Sequence, residues 1–218
     1  MTAPPAATTG HFISLEGIDG SGKSTQARRL ADTLRAEGHD VVLTREPGGA
    51  PGAEAIRELL VTGDGARWSA VAELLLFNAA RRDHLENTIW PALAAGRVVV
   101  CDRFADSTRV YQGVARAPLG DLVERLHRLV IGTDPDLTVI IDTDPETALA
   151  RGRARGGTED RFERFGLPFQ QALRDGFATL ARDNPDRCRI VDGNRAPDAV
   201  AADVAALAAA ALGPGNAA

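Results

Sequence analysis

Lysine is nearly absent from this chain. Of its 25 basic residues only Lys23 is a lysine, and the rest are arginines. Tyrosine also occurs once, at Tyr111. Two cysteines, Cys101 and Cys188, are too few for a disulfide framework. Cys101 closes the apolar run Val98-Val99-Val100, so buried, reduced thiols are expected. No apolar stretch reaches the roughly 18 residues of a membrane span. Met1 to Pro5 has neither a basic nor an apolar region, so no signal peptide is expected and the cytoplasm is the expected compartment. A basic excess is lacking too. The net charge is −5, which argues against a nucleic-acid partner, and nothing in the sequence suggests a membrane partner. The four histidines, His11, His39, His84 and His127, form no cluster with cysteine that would suggest zinc. An N-K-x-D signature for guanine is missing as well.

What is present is an ordinary globular composition, 44% apolar and 25% charged over 218 residues, enough for one domain without a metal or disulfide staple. Phe12 to Glu16, Val41 to Leu43, Val98 to Cys101, Leu137 to Ile141 and Cys188 to Val191 read as strands. Helical patterns separate them. Among these are 53–61, 69–95 with Val71, Leu74, Leu75 and Ala79, and 119–131 with Leu122, Leu126, Leu129 and Val130. The alternation predicts an α/β fold, a five-stranded parallel sheet with helices on both faces, whose ligands bind beyond the carboxyl ends of the strands. We expect a tail at 1–10, a single domain over 11–212 with a short lid at about 151–163, and a tail at 213–218.

Gly17-Ile18-Asp19-Gly20-Ser21-Gly22-Lys23-Ser24 matches G-x-x-x-x-G-K-[ST], with a strand before it and a helix after it. Its glycines let backbone N–H groups curl around phosphate, and the following helix N-terminus adds partial positive charge. Lys23 is placed to reach the β- and γ-phosphates and Ser24 to bind Mg²⁺. Asp102-Arg103 ends the third strand, where the acid suits Mg²⁺ or its water shell and the arginine suits a phosphate. Arg151, Arg153, Arg155 and Arg161 surround Gly152, Gly156 and Gly157, a composition suited to closing over a triphosphate or, equally, to a solvated charged loop. Phe77 and Arg81 are four apart and share a helix face, so they could hold a nucleobase; on spacing alone, a core Phe77 and a surface Arg81 remain open.

Taken together, these motifs resemble the bacterial thymidylate kinases, P-loop nucleoside-monophosphate kinases, over about residues 11–210. Besides the P-loop, the resemblance rests on Arg45-Glu46-Pro47-Gly48-Gly49, Phe77-Asn78-Ala79-Ala80-Arg81, Asp102-Arg103-Phe104, Ser107-Thr108, Tyr111-Gln112-Gly113 and Pro135-Asp136-Leu137-Thr138. It implies a P-loop NTPase fold, Mg²⁺ and ATP as donor, dTMP as acceptor and a homodimer. ATP would meet Gly17, Asp19, Gly20, Ser21, Gly22, Lys23, Ser24, Thr25 and Arg151. Phe77 would stack on thymine, Arg81 would bond its carbonyl edge, and Thr108 and Gln112 would complete base recognition. Tyr111 would lie against the deoxyribose. Arg57, Arg103 and Arg45 would hold the acceptor phosphate, with Asp19 between it and the sugar. The P-loop carries no arginine, so Arg153 or Arg155 of the lid would take the catalytic arginine's role. Phe104 stands where the family commonly has Tyr or His, and Asn78 where an aromatic is frequent. A kinase for another nucleoside monophosphate or a deoxynucleoside, and an ATP-binding switch protein, are the alternatives at this point.

Overall fold

The computed structural model describes residues 10–62, 67–115, 119–155 and 166–213, the side chains of 114, 115 and 155 excepted. The expected tails, except for Gly10 and Gly213, and the lid residues 156–163 lie outside the described residues. Five strands, β1 (His11–Glu16), β2 (Val41–Arg45), β3 (Val98–Asp102), β4 (Leu137–Asp142) and β5 (Cys188–Asp192), form one sheet in the order β2-β3-β1-β4-β5. Every pairing is parallel. Successive side chains of a strand point to opposite faces, so β1 feeds both layers of core. Ile13 and Leu15 pack with Leu30 and Leu34 of α1 (Lys23–Ala36) and with Val200 and Val204 of α9 (Pro197–Leu212). Phe12 packs on the other side with Leu85, Ile89, Leu93 and Phe104. Pro197 opens α9 at its first position, as its missing N–H and fixed φ favour.

Between β2 and β3 lie α2 (Pro51–Val61) and α3 (Ala70–His84). A π-helical turn (Leu85–Ile89) and α4 (Trp90–Ala94) follow, so the long pattern at 69–95 is one nearly continuous helix with an irregular turn just before Pro91. After β3 come α5 (Ala105–Val110), a π-helical turn (Tyr111–Ala115), α6 (Gly120–Leu126) and another π-helical turn (His127–Ile131). The helix at 105–110 had no apolar period to announce it, because its inward residues include Asp106 and Thr108. After β4, α7 (Pro145–Arg155) precedes α8 (Gly166–Asp183).

Residues 151–155, at the start of the segment expected to form the lid, are the last turn of α7, where Ala and Arg are good helix formers. The apolar stripe read on α3 divides: Leu74 is fully buried, whereas Val71 and Leu75 are 42% and 51% exposed, and Glu73, Asn78 and Arg81 are buried on the inward side. Likewise in 119–131 the inward residues are Val123, His127 and Ile131, and Leu129 is 65% exposed.

Candidate active site

The carboxyl ends of β1 and β3 carry the site, where connections leave to opposite sides of the sheet. Gly17, Gly20 and Gly22 all have positive φ, at 138°, 84° and 96°. Gly20 also cannot carry a Cβ, which would lie 2.0 Å from the Ala148 carbonyl oxygen of α7. The loop turns on a Ser21 N–H to Ile18 carbonyl bond of 3.2 Å. Thr25 and Gln26 then donate to the Gly22 carbonyl and start α1. Ser24 is half-buried and Thr25 exposed in this first turn. Lys23 is buried. Its Nζ donates to the Ile18 carbonyl at 3.2 Å and lies 3.6 Å from Asp19. Burial and the neighbouring Arg103 charge lower its pKa. An ammonium folded onto its own loop is held ready for a stronger anion.

Arg103 is the junction of the site. It is the one described non-glycine residue with positive φ, 73°, a conformation that costs about 1–3 kcal/mol. Its guanidinium donates to the Gly17 carbonyl (3.1 Å), Ser107 Oγ (2.8 Å), Asp19 Oδ1 (2.5 Å) and the Tyr111 hydroxyl (3.1 Å), and it lies over the Tyr111 ring. Tyr111 in turn donates to Asp19 Oδ2 at 3.2 Å. Burial would raise the Asp19 pKa, but Arg103 and Lys23 outweigh it and hold the carboxyl at about 2. Burial pushes the Tyr111 phenol up, so it stays a neutral donor. Three residues expected near the sugar and acceptor phosphate are thus brought together.

Glu16, which no motif singled out for chemistry, fixes the Arg103 turn. Its Oε1 accepts from the backbone N–H groups of Phe104 (2.7 Å) and Ser107 (3.3 Å), and its Oε2 accepts from Ser107 Oγ (2.6 Å). Burial, with Asp106 nearby, raises its pKa to about 7. Asp102, beside it on β3, keeps one buried carboxylate oxygen, Oδ1, without a hydrogen-bond partner.

A second cluster lies under the loop at 46–49, which contains a cis Glu46–Pro47 bond. Arg81 is 3% exposed, so the surface reading of this residue does not hold. Its Nε donates to Glu46 Oε2 at 2.7 Å, and its Nη2 to the Phe104 carbonyl (3.2 Å) and Thr108 Oγ1 (3.0 Å). His84 joins Glu46 Oε1 at 3.1 Å and Thr44 at 2.7 Å. A Cβ on Gly49 would sit 2.3 Å from the His84 ring, so this loop packs tightly on the cluster. Phe77, one helical turn before Arg81, is only half-buried. Gln112 is buried and donates from Nε2 to Glu73 Oε1 at 3.1 Å. Glu46 and Glu73 were missed as site residues. Glu73 sits inside an apolar helical stretch, which is a signal, since an unpaired acid there would be too costly to bury; Glu46, in a loop, carries no such mark.

Other expected residues are placed less centrally. Arg57 donates to the Pro47 carbonyl at 2.6 Å, and Arg45 is exposed and bonded to Glu54 at 3.1 Å. Arg151 donates to the Gly193 carbonyl at 3.1 Å, which ties α7 to the segment after β5. Arg153 is exposed on α7, Arg155 is the last residue of that helix, and Arg161 lies outside the described residues.

Comparison with known proteins decides the family. The family model for thymidylate kinase matches residues 15–204. The chain belongs to the thymidylate kinase family. Thymidylate kinase from Ruegeria pomeroyi is 67% identical over 196 residues, covering 90% of this chain and 93% of the relative. That from Dinoroseobacter shibae is 68% identical over 206 residues, covering 94% and 97%. The crystal structure of thymidylate kinase from Ehrlichia chaffeensis matches with a TM-score of 0.74 at 37% identity, over 92% of this chain and 99% of that one. The thymidylate kinase fold therefore agrees with the expected five-stranded parallel sheet.

Proposed function

We infer that this protein transfers the γ-phosphoryl group of ATP to dTMP, giving dTDP and ADP. Membership of the thymidylate kinase family carries this reading. The observation on the molecule that supports it best is the junction at Arg103, which links the P-loop at Gly17 to Asp19 and Tyr111 on the acceptor side.

The acceptor phosphate is its own nucleophile. A phosphate monoester has a second pKa of about 6, so it is largely dianionic near pH 7 and needs no general base. Catalysis then reduces to positioning and charge stabilisation. Lys23 faces the charge that develops between the β- and γ-phosphates. Arg103, with Arg57 and Arg45 at the rim, holds the acceptor in line. Phe77 offers a ring face to thymine, and Arg81 has its Nη1 for the base after Nε and Nη2 are committed to the protein. Arg151 borders the nucleotide-donor side. Arg153 or Arg155 meets the migrating phosphoryl group.

Mg²⁺ fits the residues present. The unpartnered Asp102 Oδ1 and the Ser24 hydroxyl are hard oxygen donors, and Mg²⁺ commonly takes one or two protein oxygens besides waters and phosphates. When bound, it supplies charge neutralisation for the phosphates.

We further propose a homodimer. Leu75, Ala79 and Arg82 follow one another on one face of α3, and Arg82 donates to the Val130 carbonyl at 2.9 Å. The exposed Leu75 and Leu129 therefore belong to neighbouring elements on one side of the molecule. Two buried free thiols suit a reducing compartment, which supports the cytoplasm. No helix among the described residues is long and apolar enough to cross a membrane.

The direct test is ADP release with dTMP, dUMP, dCMP or AMP as acceptor. Strong dTMP dependence, with dCMP and AMP poor, is expected. ATP turnover indifferent to dTMP would favour a nucleotide switch instead.

A further inference from the structure

Helix α3 and the α5 segment with its π-helical continuation face each other at two rungs. One rung is Arg81 to Thr108, at 3.0 Å; the other is Gln112 to Glu73, at 3.1 Å. On α3, Glu73, Phe77 and Arg81 are spaced four and four and share one face. On the facing segment Thr108 and Gln112 are also four apart. All four rung residues are buried, and Phe77, between the rungs, is half-exposed. Phe77 and the Gln112 amide thus belong to the same seam between the two segments.

An amide can turn either end toward a ligand, and nothing in a glutamine itself chooses. Here the choice is made by Glu73. A carboxylate only accepts, so the Gln112 group facing it must be the NH₂. One N–H of that NH₂ is then committed to Glu73, and the amide oxygen lies at the other end, turned away from the carboxylate. We propose that Glu73 is a specificity-positioning residue: it locks Gln112 with its oxygen toward the ligand, so that the pocket selects a pyrimidine carrying a hydrogen on ring nitrogen 3. Thymine and uracil offer that N–H donor. Cytosine offers a lone pair at the same place, which would meet the amide oxygen acceptor to acceptor. This inference rests on the dTMP reading above and adds the source of the selectivity.

Glu73→Gln tests it. A glutamine donates and accepts, so Gln112 is freed to turn either way. The ratio of kcat/KM for dTMP over dCMP should fall by about tenfold or more, mainly through a higher KM for dTMP and a lower one for dCMP, with the KM for ATP unchanged. Gln112→Ala should lower the same ratio, and adding Glu73→Gln to it should change the ratio little further, a coupling that mere support of the fold would not produce. The wild-type protein gives a measurement independent of any variant's folding: N3-methyl-dTMP, which lacks the donor hydrogen, should compete with dTMP at least about tenfold less well than dTMP itself does. An unchanged ratio in Glu73→Gln, or N3-methyl-dTMP binding as well as dTMP, overturns the proposal while leaving dTMP kinase activity intact. Failure of the wild type to phosphorylate dTMP at all would instead reject the functional reading beneath it.

Discussion

The loop proposed to hold the phosphate donor and the pocket proposed for the acceptor base are built in opposite ways. The donor loop is a single run from Gly17 to Ser24, held by its own backbone bonds and by glycine conformations that other residues adopt at a cost. The base pocket is assembled from Glu46, Glu73, Phe77, Arg81, Thr108 and Gln112, which come from three separate stretches of chain. Buried ion pairs and hydrogen bonds, not backbone turns, hold it. A local loop presents charge to any nucleoside triphosphate. A pocket made of buried, mutually paired side chains has its donors and acceptors oriented in advance, and that orientation is what can distinguish one base from another. Arg103 and Glu16 lie between the two regions: Arg103 bonds the donor loop at Gly17 and Asp19 and the α5 segment at Ser107 and Tyr111, and Glu16 fixes the Arg103 turn.

This contrast can be tested at several strengths. Lys23→Ala in the donor loop should lower kcat by about a hundredfold or more with a folded protein remaining; steady-state turnover checks it, and near-normal turnover would remove the donor loop from the chemistry. Arg81→Ala in the acceptor pocket should act differently. It should weaken dTMP binding and spare ATP in calorimetric titrations. It should also cost on the order of 3–5 kcal/mol in denaturant unfolding, because Glu46 is left buried without its guanidinium. Equal losses of both nucleotides would mean that the two regions are not separable. For the lid arginines, Arg153→Ala and Arg155→Ala, measured as single-turnover phosphoryl transfer, should give one large loss and one small, since residues two apart on a helix do not share a face. Two small losses would show that the transition-state charge is met elsewhere.

The smallest expected effect sits at the joint. Glu16 has a folded pKa of about 7 against an ordinary value of 4.5, so between those values the folded state holds more protons than the unfolded one. Its contribution to stability is fully present below pH 4.5 and is lost as pH rises through 7. Glu16→Gln removes that titration. The stability of the wild type should decline relative to the variant between pH 4.5 and 7, as seen in parallel denaturation series; identical slopes would place the Glu16 pKa near its ordinary value.

Much of the donor side was legible in the chain because its signals are local. A G-x-x-x-x-G-K-[ST] spacing between a strand and a helix needs no distant partner, and alternating strands and helices fix a parallel sheet by the geometry of the crossover. The apolar run at Val98 to Cys101 correctly announced a strand buried on both faces. The two helices read by apolar stripe fared worse. On α3 Val71 and Leu75 lie on an exposed face, and the inward face carries Leu74 together with Glu73, Asn78 and Arg81. Burying charge is favourable only when its partner arrives from elsewhere, and Glu46 and Gln112 lie far from those positions in sequence.

The sequence alone therefore determined the parallel sheet and the phosphate loop, since each follows from short-range pattern or from a recognisable motif. Tertiary structure decided that the Gln112 NH₂ faces Glu73, that Glu16 holds the Arg103 turn, and that Val71 and Leu75 of α3 point outward. Those outcomes depend on pairings between residues tens of positions apart. A hydrogen bond or ion pair is favourable in the interior only when both partners arrive together, and no local property of one partner specifies the other.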